Sequence, residues 1–315
     1  MPESTGSLMM AFDCLEGGRS VKSAVASVKI FARQAGWNSR AVSVMSPDQL
    51  NWPGDFESDW RAEFEKLGGR VLAKLLAHNN SKPDLPSKIL FQPYHSRSGT
   101  VRSIVDEADR SGVDAIAVFS HTHQARFSSP GSFVNSIISH ANVPVFVINS
   151  KTPALKSIEK IIFATDFSAT DSRTFNKIVE LAAKLESKLV LIHVLPNLVN
   201  ESMAAYAGIT GGWNNMEFYL DNEEESMTKK GERWIAKARK NGVEASYELI
   251  RNSRSIATAV MKAAVRLRAD VIAVTEKTGP WAAVFLGSVT RKVLNESATS
   301  VLVMPARAAR LEKRS

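Results

Sequence analysis

The chain has 315 residues, 44% of them hydrophobic and 23% charged, which suits two packed domains and excludes wholesale disorder. Its single cysteine, Cys14, excludes an internal disulfide and a cysteine-based zinc site, and no apolar run nears the roughly 18 residues of a membrane span. The opening MPESTGSLMM lacks a signal-peptide pattern, and the net charge of +8 permits weak attraction to anions without a nucleic-acid signature, so the expectation is a cytoplasmic protein with no membrane insertion and no specific nucleic-acid partner.

Apolar periodicity predicts a strand at Leu8–Phe12, a helix at Val21–Ala35, a strand at Ala41–Met45 and a helix at Trp60–Leu76. A strand at Ile89–Phe91, a helix at Val101–Ala108, a strand at Ala115–Val118, a helix at Phe133–His140 and a strand within Val143–Ile148 follow. The order then begins again. Ile161–Thr165 is a strand ending in Asp166-Phe167-Ser168, a turn and N-cap signal. Phe175, Ile178, Val179, Ala182 and Leu185 recur at helical spacing, and Leu189–Leu195 is a continuous apolar run, as expected for a strand buried on both faces. A helix at Glu223–Lys240, a strand at Ala245–Ile250, a helix at Ile256–Leu267, a strand at Val271–Val274, a helix at Val289–Leu294 and a strand at Ser300–Met304 complete the second round.

The two rounds are one pattern written twice. At an offset of 156 residues, IVDEADRSGVDAIAV (104–118) aligns with VMKAAVRLRADVIAV (260–274), with Arg110/Arg266, Asp114/Asp270 and Val118/Val274 among the identities. The same offset aligns GSFVNSIISHANVPVFVI (131–148) with GSVTRKVLNESATSVLVM (287–304). The expected organisation is two domains, 1–150 and 151–315, joined around Pro153. Strand–helix alternation predicts an α/β fold: two tandem doubly wound domains, each a five-stranded parallel sheet with helices on both faces. Ligands in such sheets bind at the carboxyl ends of the strands, near the switch in strand order.

IIFATDFSATDSRTFNKIVELAAKLESKLVLIHVLP resembles the opening of a universal stress protein domain, and LGSVTRKVLNESATSVLVMP resembles its closing segment. The first copy, through MMAFDCLEGGRSVKSAVASVKIFARQAGW and GSFVNSIISHANVPVFVI, is similar but more diverged. The chain thus resembles a tandem universal stress protein. Many members of that family bind ATP through a loop of Gly, two residues, Gly, nine residues and Gly-Ser or Gly-Thr, with an Asp after the first strand beside the adenosine. The resemblance therefore assigns a nucleotide site to Asp166, Val194, Thr275, Lys277, Thr278, Gly287, Ser288 and Val289, and first-copy equivalents to Asp13, Gly131 and Ser132. The upstream glycines are missing in both copies. Val274 and Lys277, or Thr275 and Thr278, stand there in the second, and Val118 and His121, or Phe119 and Thr122, in the first. A side chain at a close-approach position crowds a phosphate, so ATP binding is expected to be weak or absent, and no cofactor beyond an adenine nucleotide is implied. The family also implies that the terminal strands pair antiparallel, either between chains or as a pseudo-dimer of the two domains.

Several residues carry two readings. Gly131-Ser132 and Gly287-Ser288 start helices or bind phosphate. Asp13 and Asp166 turn the chain or contact a ligand. His121 and His123 suggest a metal pair but lack further ligands, so no metal site is expected. His193 reads as a core histidine, Lys277 as a solvated loop residue, and Cys14 as a small, partly buried residue. Asn197–Leu220, rich in Gly and aromatics, reads as a lid or a covering loop. No nucleophile elbow, Walker A sequence or zinc-protease motif is present. The expected function is stress-linked regulation by ligand binding, not enzymatic. The alternatives are an ATP-binding switch or weak ATPase using the second copy, and an interaction scaffold without a ligand.

Overall fold

Alternating residues of each central strand are buried on opposite faces, and that pattern builds the layers. The computed structural model describes residues 6–11, 19–46, 62–63, 65–70, 86–92, 96–120, 132–149, 152–196, 213–253, 255–276 and 287–305. The first round comprises β1 (Gly6–Ala11), α1 (Arg19–Ala35), β2 (Trp37–Met45), β3 (Ser87–Phe91), α2 (Arg97–Arg110), β4 (Ala115–Ser120), α3 (Ser132–His140) and β5 (Val145–Asn149). The second comprises β6 (Lys160–Ala164), α4 (Ala169–Lys184), β7 (Lys188–Pro196), α5 (Trp213–Lys240), β8 (Ala245–Ser253), α6 (Ile256–Leu267), β9 (Val271–Thr275), α7 (Ser288–Glu296) and β10 (Ser300–Met304). Residues 65–70, inside the expected Trp60–Leu76 helix, are helical.

The ten strands form one sheet in the order β3-β2-β1-β4-β5-β10-β9-β6-β7-β8. Each half is parallel throughout, and the seam between β5 and β10 is antiparallel. Its register pairs Val301 with Val147, Leu302 with Phe146 and Val303 with Val145. Phe146 thus faces its own counterpart at the 156-residue offset, and the flanking pairs exchange partners about it, as a two-fold axis requires. Both strands have neighbours on either side, so neither has an edge left for a second copy of the chain.

One face of the sheet buries Leu8, Met10, Phe146, Phe163 and Leu302 against α1, α4 and α5. The other buries Met9, Ile116, Val147, Ile162, Ile272 and Val301 against α2, α3, α6 and α7. The identical pair Asp114 and Asp270 has one job in both halves. Asp114 Oδ2 accepts Ser7 N at 2.7 Å at the start of β1. Asp270 Oδ2 accepts Glu159 N and Lys160 N at 2.8 and 2.9 Å at the start of β6. The connection between the halves is fastened to α1. Buried Ser27 Oγ accepts Leu155 N at 3.0 Å, and Gln34 takes Ile158 N at 2.7 Å while donating to Leu185 O at 3.3 Å.

One expected boundary is wrong. The helix set at Glu223–Lys240 begins at Trp213, so the last eight residues of the supposed loop 197–220 are its first turns. Trp213, Met216, Leu220 and Met227 sit three, four and seven apart, which continues the helical apolar repeat upstream.

Candidate functional site

β6 and β9 are neighbours at the change in strand order, and their carboxyl ends frame the crevice where such sheets take ligands. The turn leaving β6 is built from its own side chains. Ser168 caps α4 by accepting Asp171 N at 3.3 Å. Asp166 Oδ1 accepts Ser168 N at 3.0 Å, the turn role of the two readings. Asp171, at the third position of α4 and 2% exposed, accepts Thr165 Oγ1 at 2.8 Å and Asp166 N at 2.9 Å, both on Oδ2. Burial pushes the Asp171 carboxyl above the usual carboxylate range, against the pull of the Asp166 N–H and with a contribution from the Asp166 carboxyl.

Phe167 completes the turn with φ at 57°, a left-handed conformation that costs a bulky residue about 1–2 kcal/mol. Its ring is held edge-on to Trp234 at 5.0 Å, against His193 at 5.4 Å and near Tyr247 at 5.9 Å. Trp234 in turn stacks on Phe175 at 4.4 Å. His193, 8% exposed, donates from Nδ1 to Thr165 O at 2.8 Å, the packed and hydrogen-bonded role expected of it. Tyr247 fits because Gly231 of α5 lies against its ring, where a Cβ would come within 2.7 Å. Burial, with the nearby Glu224 carboxylate second, pushes the Tyr247 phenol up to about 12.

From β9, Thr275 enters the crevice 5% exposed. Its Oγ1 is buried near the Asp171 carboxyl, whose ionised form the hydroxyl favours. Glu276 follows, also buried, with its N–H on Met304 O at 2.9 Å. Gly287 is the N-cap of α7 and Ser288 its first residue. No described side chain caps α7, whereas Ser96, Ser168 and Ser255 cap α2, α4 and α6. Gly287 has φ −53° and a Cβ there would meet nothing described within 4 Å, so neither conformation nor packing requires glycine.

The structure therefore brings Asp166 and Thr275 to neighbouring strand ends and starts α7 at Gly287, Ser288 and Val289. Val194, near the end of β7, is buried in the core on the α6 side. Lys277, Thr278, Asp13, Gly131, Cys14, His121 and His123 lie outside the described residues, and of Ser132 only its place at the start of α3 is described. Thr165 and Asp171 were missed by the sequence reading. The signal for Asp171 was present as Ser168-x-x-Asp171, the spacing of a capping box. Among the described residues no group of three or more His, Cys, Asp or Glu side chains could hold a metal, and no helix is long and apolar enough to cross a membrane.

Comparison with known proteins agrees with this architecture. The crystal structure of a universal stress protein from Archaeoglobus fulgidus DSM 4304 matches with a TM-score of 0.57 at 15% identity, over 95% of this chain and 96% of that one. That of a functionally unknown protein from Pseudomonas aeruginosa PAO1 matches with a TM-score of 0.58 at 15% identity, over 98% and 97%. At such identities these matches establish the fold over both halves. No curated protein matches the chain. Residues 157–305 match the model of the universal stress protein family, so the second half carries a domain of that family.

Proposed function

We propose that the chain is a stress-response regulatory protein that binds a nucleotide-like ligand weakly in its second half and is not an enzyme. The observation that carries this reading is Gly287. Among the described residues nothing crowds that position, and no described side chain caps the helix it opens. Uncapped N–H groups at a helix start, with no Cβ in front of them, suit an anion such as a phosphate. Thr275 stands where one alignment of the family loop has glycine, and its side chain narrows the approach. The family resemblance points to ATP or another adenine nucleotide as the ligand class. In this reading residues 1–150 and 151–315 act as a pseudo-dimer in one cytoplasmic chain, the β5–β10 seam replacing association between chains.

Isothermal titration with ATP, ADP, AMP and cyclic nucleotides tests the reading. The expected result for ATP is a dissociation constant no tighter than roughly 100 μM, about −5.5 kcal/mol. Replacing Thr275 and Thr278 together by glycine is expected to tighten it. Silence toward every nucleotide, in the natural chain and the glycine variant alike, would leave the scaffold reading. Steady release of inorganic phosphate from ATP would establish the ATPase instead. Low-micromolar ATP binding abolished by Ser288→Ala would show that the missing glycines do not matter.

A further inference from the structure

α4 and α7 open onto the crevice of the second half, and each has its far end held by an amide side chain from the first half. Gln34, in the last turn of α1, donates from Nε2 to Leu185 O at 3.3 Å and accepts Ile158 N on Oε1 at 2.7 Å. Leu185 is the C-cap of α4, and its carbonyl also takes the Ser187 hydroxyl at 3.4 Å. Lys184, one residue earlier, sets its ammonium over the Trp37 ring of the first half, 5.9 Å from the centroid. Asn149, the last residue of β5 and 2% exposed, donates from Nδ2 to Leu294 O at 3.3 Å. Leu294 lies in the last turn of α7, where carbonyls run out of partners within the helix. The two donors work on opposite faces of the sheet, because α4 packs on the face of Phe163 and α7 on that of Ile162.

At the seam this support runs one way. The counterpart of Asn149 at the 156-residue offset is Pro305, which is buried and has neither an N–H nor a side-chain donor to offer. α7 also depends on outside support more than α4 does. It has nine residues, below the length at which a helix holds in water by itself, and no described side chain caps its start. Its start is only about 13 Å from its end, so fastening one end steadies the other. α4 has 16 residues and its own cap in Ser168. We propose that the first half is a brace for the second: Asn149 and Gln34 are positioning residues that hold α7 and α4 from behind and so fix the two helix starts that frame the crevice. What this does for a ligand rests on the nucleotide reading above; the brace itself does not.

Amide hydrogen exchange of the full chain without ligand, resolved by NMR, reads the brace at the crevice end. The probes are Arg291 N and Ser172 N, which make the first bonds of α7 and α4, to Gly287 O and Ser168 O, at 2.9 Å each. Asn149→Leu removes the donor to α7 at similar volume, and Asn149→Ala is the second variant if leucine does not fit. Gln34→Glu keeps an acceptor for Ile158 N and loses the donor to Leu185 O. Asn149→Leu is expected to speed exchange at Arg291 on the order of tenfold and leave Ser172 unchanged. Gln34→Glu is expected to speed Ser172 by about threefold and leave Arg291 unchanged. Faster exchange confined to the last turn of the affected helix would reduce both residues to local caps and overturn the proposal. Equal rises at both amides in either variant would show a general loss of stability and overturn it too, as would wild-type rates. Titration of ATP into the same proteins reads the consequence. If the wild type binds, Asn149→Leu is expected to bind several-fold more weakly, and equal affinity would show that the brace stops short of the site. A wild type silent toward ATP would end the nucleotide reading, and the exchange rates would still decide the brace.

Discussion

Two helices begin at the crevice of the second half, and they begin in opposite ways. α4 is closed by its own chain: Ser168 caps it by accepting Asp171 N, and Asp171 in its first turn returns its carboxyl to the loop that precedes it. α7 begins on a glycine that no described residue crowds, and no described side chain caps it. Orphan N–H groups at a helix start need partners. The lesson of the pair is that a helix start satisfied from within is architecture, while one left open beside it is where an outside partner has something to gain. The same contrast separates the symmetric frame of the molecule from its asymmetric working parts.

The contrast breaks if the frame is not what the seam implies, and that test carries the largest effect. Val303→Asp places a charge at a fully buried position opposite Val145. It is expected to cost on the order of 3–5 kcal/mol in chemical denaturation, and an unchanged midpoint would contradict the seam. The next test compares the two halves at matched positions. Asp270 accepts Glu159 N and Lys160 N, and the more exposed Asp114 accepts Ser7 N. Asp270→Ala is expected to lose about 1.5–3 kcal/mol and the more exposed Asp114→Ala about 1 kcal/mol or less, so equal losses would remove the asymmetry at the strand entrances. The smallest effect sharpens the contrast between helix starts. Ser168→Ala is expected to cost about 1 kcal/mol, while Ser288→Ala stays within about 0.5 kcal/mol. A Ser288 variant as unstable as the Ser168 variant would mean that α7 is closed after all.

Much of the frame was legible before any coordinates. The strand runs are apolar because both faces are covered, and each appears within a few residues of its expected place. The 156-residue offset makes Phe146 and Leu302 counterparts, but that this pair lies at the centre of the seam comes from the strand register alone. Other features needed the third dimension. Asp114 and Asp270 stood out as identical, but their shared role depends on strand starts more than a hundred residues away. Asp171 was hidden in an ordinary helix-start pattern, because sequence shows the spacing of a capping box and not which backbone groups its carboxyl reaches. The upstream extension of α5 was masked by glycines at 208, 211 and 212, which read as loop and obscured the apolar repeat beginning at Trp213. Gly287 was legible as a residue, but only its open surroundings show that the fold does not ask for it.

The seam centred on Phe146 and Leu302 has a consequence for how such a molecule can change. In a dimer of identical chains every substitution appears twice, once on each side of the axis, so a residue that improves one site alters the other in the same way. Here the two sides are separate stretches of one chain, fastened through Ser27 and Gln34. A substitution falls on one side only. One cleft can change while its counterpart keeps serving as half of the scaffold. Fusion across the axis preserves the geometry of a symmetric pair while freeing each half to specialise.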